Sequence, residues 1–170
     1  MKNPVRAVLT TFVQATGARK AGPCLLLLVA AGCTPAPATS NTPEGGSPMP
    51  VSIVEPYLKI QAALASDRMD EVKASAGNIA TAAAPFGSPA FKIGTAAAQL
   101  TSAVELPDAR EKFARLSDAI ITYMDGLHLT PPEGVHIASC AATGNQWLQQ
   151  GDSIANPYDG SSAPACGSLR

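Results

Sequence analysis

Three side chains in the second half of this chain have the chemistry to bond to one another or to hold an ion: Cys140, Cys166 and His136. The two cysteines stand 26 positions apart, and thiols in such a pair have two uses. In an oxidising compartment they form a disulfide, which by the chain-entropy model stabilises a loop of this size by about 3.5 kcal/mol. Kept reduced, they are soft ligands suited to copper(I), zinc or a similar ion. His136 lies four positions before Cys140, so on a helix or a strand the two share a face and the imidazole is a candidate third ligand. Its neighbours Val135 and Ile137 offer a plainer account, in which His136 is the solvent-facing residue of an amphipathic strand. His128, which follows an apolar helical stripe, is accounted for by the helix C-terminus, where a cation is favoured. No HExxH, P-loop or dinucleotide fingerprint is present, and no Cys-x-x-Cys of the kind a thiol-disulfide enzyme uses. The sequence reads as that of a non-enzymatic protein.

Whether disulfide or metal prevails depends on the compartment, and the N-terminus carries an address. Lys2, Arg6, Arg19 and Lys20 precede the apolar run "LLLLVA" with no acidic residue among them, the pattern of a secretory signal in residues 1–32. The run is far too short to span a bilayer core of about 30 Å. Ala30, Ala31 and Gly32 stand directly before Cys33, and this resembles the lipobox of bacterial lipoproteins. The resemblance implies cleavage before Cys33 and acylation, palmitate included, of the new N-terminal cysteine. Two or three chains at about 0.8 kcal/mol per buried CH₂ suffice for stable attachment. Thr34, standing where Asp would retain the protein elsewhere, implies the periplasmic face of the outer membrane. Cys24 would leave with the signal. Residues 33–50 then form a lipidated cysteine and a linker, "TPAPATSNTPEGGSPMP", whose Pro, Thr, Ser and Gly content predicts a flexible tether.

The elements that must position the later cysteines are helical. The chain is 46% hydrophobic but only 5% aromatic, so much of its apolar content is alanine, which favours helix and fills little volume. Twelve Lys and Arg against 13 Asp and Glu, with no basic cluster in the second half, give no footing for nucleic acid. Apolar periodicity predicts a first helix over residues 52–65, with Gln61 breaking its stripe. A second starts near a Ser66/Asp67 cap and runs through Met69, Val72, Ala76, Ile79 and Ala83. Ser88 with Pro89 opens a third, containing Phe91, Ala98 and Leu100. The fourth opens at Pro107 and has the cleanest stripe, Phe113, Leu116, Ile120, Met124 and Leu127. Met69 and Met124 are expected in the core. Paired prolines in "TPPEG" end the helical region, and "VHIASC" reads as a short strand or extended arm. The expected fold is mainly α, an antiparallel four-helix bundle over residues 51–170 with an irregular C-terminal arm or short strand packed on it through Trp147, Ile154, Pro157 and Tyr158.

The C-terminal pattern "C…NQWLQQGDSIANPYDGSS…CG" resembles a small bacterial domain of unknown function, found in periplasmic lipoproteins and appended to membrane-fusion adaptors of copper/silver efflux pumps. "VEPYLKIQAALASDRMDEV" and "FARLSDAIITYM" are similar to its helices, so the likeness covers residues 51–167. It implies a module that handles heavy metals through Cys and Met residues, with a metal-efflux adaptor or another envelope protein as partner. Trp147, Ile154, Asn156, Pro157, Tyr158 and Gly160 match the scaffold motif, while the methionine positions do not. Ala141 and Ala142 replace Pro-Met, Ala163 replaces the later methionine, and Asp159 replaces an aromatic residue. Asn156, Pro157 and Tyr158 are read as structural, because a residue before proline is extended and Asn caps turns.

Overall fold

A computed structural model of the chain describes residues 43–161 and 166–170. The expected signal, Cys33, the first part of the expected linker and Ala163 lie outside the described residues. Among the described residues the fold is mainly α, with four α-helices and a small antiparallel sheet. Helix α1 (Val51–Ala65) buries Ile53, Val54, Tyr57, Ile60, Gln61 and Leu64, the three-and-four spacing of one helical face. Helix α2 (Val72–Ala83) starts later than its expected Ser66/Asp67 cap. Asp67 and Glu71 both adopt positive φ, and Met69 sits half-buried in the turn between them. Two 3₁₀ turns, Ala84–Phe86 and Ser88–Ala90, lead into α3 (Phe91–Leu100). Ser88 is thus not the cap of α3: Pro85 and Pro89 each open a 3₁₀ turn, with Gly87 at positive φ reversing the chain between them.

Helix α4 (Leu106–Leu127) carries the stripe expected of it, burying Phe113, Leu116, Ser117, Ile120 and Met124. Its first turn is held by Asp108, which accepts the Val104 N–H at 3.0 Å and pairs with Lys112 one turn on at 2.9 Å. It ends where His128 takes the left-handed conformation and Thr130-Pro131-Pro132 forbids continuation. Each helix packs on the next in sequence, and the sheet lies against α1 and α4.

The C-terminal segment is more regular than an irregular arm. Strand β1 (Val135–Ser139) is the centre of a three-stranded antiparallel sheet, flanked by β2 (Gln146–Gln150) and β3 (Ser168–Leu169). The β2 segment, "QWLQQ", has no period-two alternation because Trp147, Leu148 and Gln149 are all buried, so pattern alone could not mark it as a strand. Residues before Val51 also pack on the helices. Residues 47–49 pair with Thr130, with Met49 N–H to Thr130 O at 2.9 Å and Thr130 N–H to Ser47 O at 3.0 Å. The Met49 side chain is 0% exposed, because a long apolar group beside the start of α1 gains more from the core than from water. If residues 47–50 belong to the folded unit, Met49→Ala lowers unfolding free energy by about 2–5 kcal/mol in urea titrations. A purely tethering role would leave it unchanged.

Candidate functional site

Cys140 and Cys166 form a disulfide, their Cα atoms 5.3 Å apart. Cys140, at the end of β1, is buried, and Cys166, just before β3, is half-buried. The bond closes a segment that leaves the sheet at Gln150, crosses α1 and α4, and returns beside β1. Three polar clusters fasten that segment.

The first is a buried line of hydroxyls. Leu148 N–H, on the outer edge of β2, donates to the Tyr57 hydroxyl at 3.2 Å, and Tyr57 lies 2.7 Å from Ser117 Oγ. Ser117 is 3.1 Å from the Tyr158 hydroxyl, which is 2.9 Å from the Gln146 carbonyl. An amide can only donate and a carbonyl can only accept, so the protons run one way: Leu148 to Tyr57 to Ser117 to Tyr158 to Gln146. Burial raises the pKa of both tyrosines above the ordinary phenol range, keeping them protonated and able to donate. Phe113 lies between the rings, 4.9 Å from Tyr57 and 5.9 Å from Tyr158, and Trp147 meets Tyr158 edge-on at 5.8 Å.

The second cluster centres on Gln149. Its buried side-chain oxygen accepts Trp147 Nε1–H at 3.0 Å and Ala155 N–H at 3.2 Å, while its amide donates to Gly151 O and Ser153 O. Gln61 of α1 donates to Ala155 O at 2.6 Å, so the residue that broke the first apolar stripe is a buried anchor. Ile154 and Trp147 close around Gly167, where an added Cβ would come within 2.8 Å of Ile154 Cγ2.

The third cluster fastens residues 156–161. Asn156 accepts the Tyr158 N–H and donates to the Asp159 carboxylate and to Cys166 O, joining the Asn-Pro-Tyr turn to the disulfide. Arg110 of α4 donates to Pro157 O and Leu64 O, both at 3.0 Å, and pairs with Asp67. The other Asp67 oxygen accepts the Ser161 hydroxyl and backbone N–H. These Ser161 bonds, followed by the Arg110 contact, hold the Asp67 pKa down at about 2. Gly160 sits at φ 69° directly over this pair, where a Cβ would run into Asp67 Oδ1 and Arg110 Nη2.

The expected motif residues Trp147, Ile154, Asn156, Pro157, Tyr158 and Gly160 thus come together around the disulfide as structural parts. His136 does not join them: it faces Asp152 at 3.3 Å, at the opposite end of β1 from Cys140. Ala141 and Ala142 are exposed in the turn between β1 and β2. A soft-metal centre is not matched by this donor set. The sulfurs are bonded to each other rather than present as thiolates, and among the described residues no three His, Cys, Asp or Glu side chains gather. Comparison with family models, with curated proteins and with solved structures gives no match. The resemblance to the efflux-adaptor domain therefore rests on the motif residues themselves.

Sequence reasoning passed over Arg110, Ser117 and Gln149, and took Asp67 for part of a helix cap rather than the partner of Arg110 and Ser161. Ser117 and Gln61 carried a usable signal, each being a polar residue inside an apolar helical face; Asp67, in a turn, carried none. Two outcomes follow from the geometry. Ser117→Ala leaves the two tyrosine hydroxyls without their shared partner and lowers unfolding free energy by about 1–3 kcal/mol in chemical denaturation. The Asp67 pKa lies below the usual carboxylate value of 3.8, so its contribution is full above that value and disappears as pH falls toward about 2. Asp67→Asn should therefore flatten part of the acid limb of a stability–pH profile between about pH 4 and 2, with Asp108, also depressed, supplying a remaining part.

Proposed function

We propose that this chain is an exported, lipid-anchored envelope lipoprotein whose folded part is a non-enzymatic structural or partner-binding module, clasped by a disulfide. The observation that carries this reading is the Cys140–Cys166 bond. A bonded pair of which one member is buried suits an oxidising compartment, and the signal and lipobox of residues 1–33 supply the route there. Attachment through Cys33 and Thr34 at position two place the module on the periplasmic face of the outer membrane. The helical part is read as an antiparallel four-helix bundle, supported by the packing of each helix on its successor and by the short connections between them. Descent from a metal-handling domain of efflux adaptors is supported by the scaffold motif, and the partner is then an adaptor or another envelope protein.

Thiol counting by mass spectrometry on protein isolated from the cell envelope tests the reading. The expected result is no free thiol at Cys140 or Cys166, a peptide pair linking them, and an acylated Cys33. Cys140→Ser should lower unfolding free energy by about 3.5 kcal/mol, the value for closing a loop of this length. Tight copper(I) uptake after gentle reduction, lost in Cys140→Ser, would overturn the structural reading in favour of metal handling.

A further inference from the structure

The end of the helical array where the N-terminal segment arrives also exposes large apolar side chains. Gly46 N–H bonds His128 O at 2.8 Å and Gly45 lies against the carbonyl of Leu127, so the incoming chain runs along the C-terminal end of α4. Leu127 shares a shallow hollow with Pro89 and Lys92, which puts the α2–α3 turn at the same end. In that turn, residues 84–91, Pro85 and Pro89 are exposed and Phe86 is half-buried, and Phe91 is 73% exposed. Val51, two residues after the buried Met49, adds a 55% exposed side chain.

The α2–α3 hairpin at this end has almost no charge to desolvate, while Glu44, Asp125 and His128 are exposed on the neighbouring chain. From Ala74 to Val104 the sole ionisable side chain is Lys92, although α2 and α3 turn many residues to water. Water-facing helices ordinarily carry charges of both signs. A surface that lacks them, and that exposes phenylalanine and proline at its tip, matches the interfacial layer of a bilayer, where aromatic groups bury and a lysine reaches outward to anionic headgroups. Position favours the same occupant. Nine residues separate Cys33 from Pro43, and the ten steps between the two reach at most about 35 Å even fully extended. The tether therefore enters the module at this end, while the other end of α4, 22 residues long, lies about 33 Å further along the helix. Val104, 82% exposed, belongs to that distal end.

We infer that the α2–α3 turn, with Phe86 and Phe91, seats in the headgroup and upper acyl region of the phospholipid bilayer that holds the anchor, fixing the orientation of the module. The inference rests on the lipoprotein reading above. It is tested with the full chain purified from bacterial membranes and reconstituted in phosphatidylethanolamine/phosphatidylglycerol vesicles bearing brominated acyl chains. Phe91→Trp and Val104→Trp serve as reporters, and the unsubstituted chain gives the background of buried Trp147. Bromine should quench the added emission of F91W and leave that of V104W intact. Equal quenching of the two, or none in F91W on an acylated and vesicle-bound chain, overturns the seating and leaves the lipoprotein reading standing. A blue shift of F91W that follows protein concentration without lipid also overturns it, in favour of a second copy of the chain on this face. An unacylated Cys33 in the same preparation overturns both.

Discussion

The arrangement depends on a requirement of β2: its outer edge presents backbone groups to the protein interior, where an unpaired amide or carbonyl costs several kcal/mol. Among the described residues no further strand lies on that side. The Leu148 amide and the Gln146 carbonyl are satisfied instead by hydroxyls of Tyr57 and Tyr158, and Ser117 links the two. One line of protons therefore ties together α1, α4, the sheet and the C-terminal arm. Each hydroxyl spends its single proton on the next group, so the line works only as a whole. This constraint explains why an aromatic cluster of Tyr57, Phe113, Tyr158 and Trp147 sits where an alanine-rich helical array needs bulk.

The arm is secured by two physically different means. The disulfide acts chiefly on the unfolded chain, by shortening the loop that must be ordered. The Asp67–Arg110–Ser161 cluster and the Asn156 turn act in the folded state, fixing the path of residues 156–161 over the end of α1 and the side of α4. Gly160 connects them, because its lack of a side chain lets the backbone pass over the ion pair. Asp159, an aromatic position in the resembled motif, is here a partner for the Asn156 amide. The motif is thus a device for folding an extended segment onto helices. Exposed Ala141 and Ala142 in the β1–β2 turn are free to vary without disturbing it.

The molecule also divides its surfaces. One side carries the arm, with its dense polar contacts. The α2–α3 hairpin, remote in sequence from the arm, carries small neutral residues and an exposed aromatic tip. Ionic groups gather instead on α4, where Asp108, Glu111, Lys112 and Arg115 pair along the helix. A helix whose surface is charged gains solubility, whereas one that presents alanine and phenylalanine leaves apolar surface in water.

Much of this was legible in the linear chain because helices and cysteines are local or pairwise signals. Periodicity located α1, α3 and α4 to within a residue or a few, since a buried helical face repeats every three or four positions whatever it packs against. Cys140 and Cys166 identified each other as candidates for one bond. What only the tertiary structure decided were the contacts between residues far apart in sequence. Gln146–Gln150 became a strand although both its faces are buried, and Met49 entered the core from what composition marked as linker. Gln61, Ser117 and Arg110 became anchors of an arm 41 to 94 positions away. A polar residue on an apolar face signals that a partner exists. Its identity depends on where the rest of the chain has placed a carbonyl or a hydroxyl, and that is a property of the folded molecule.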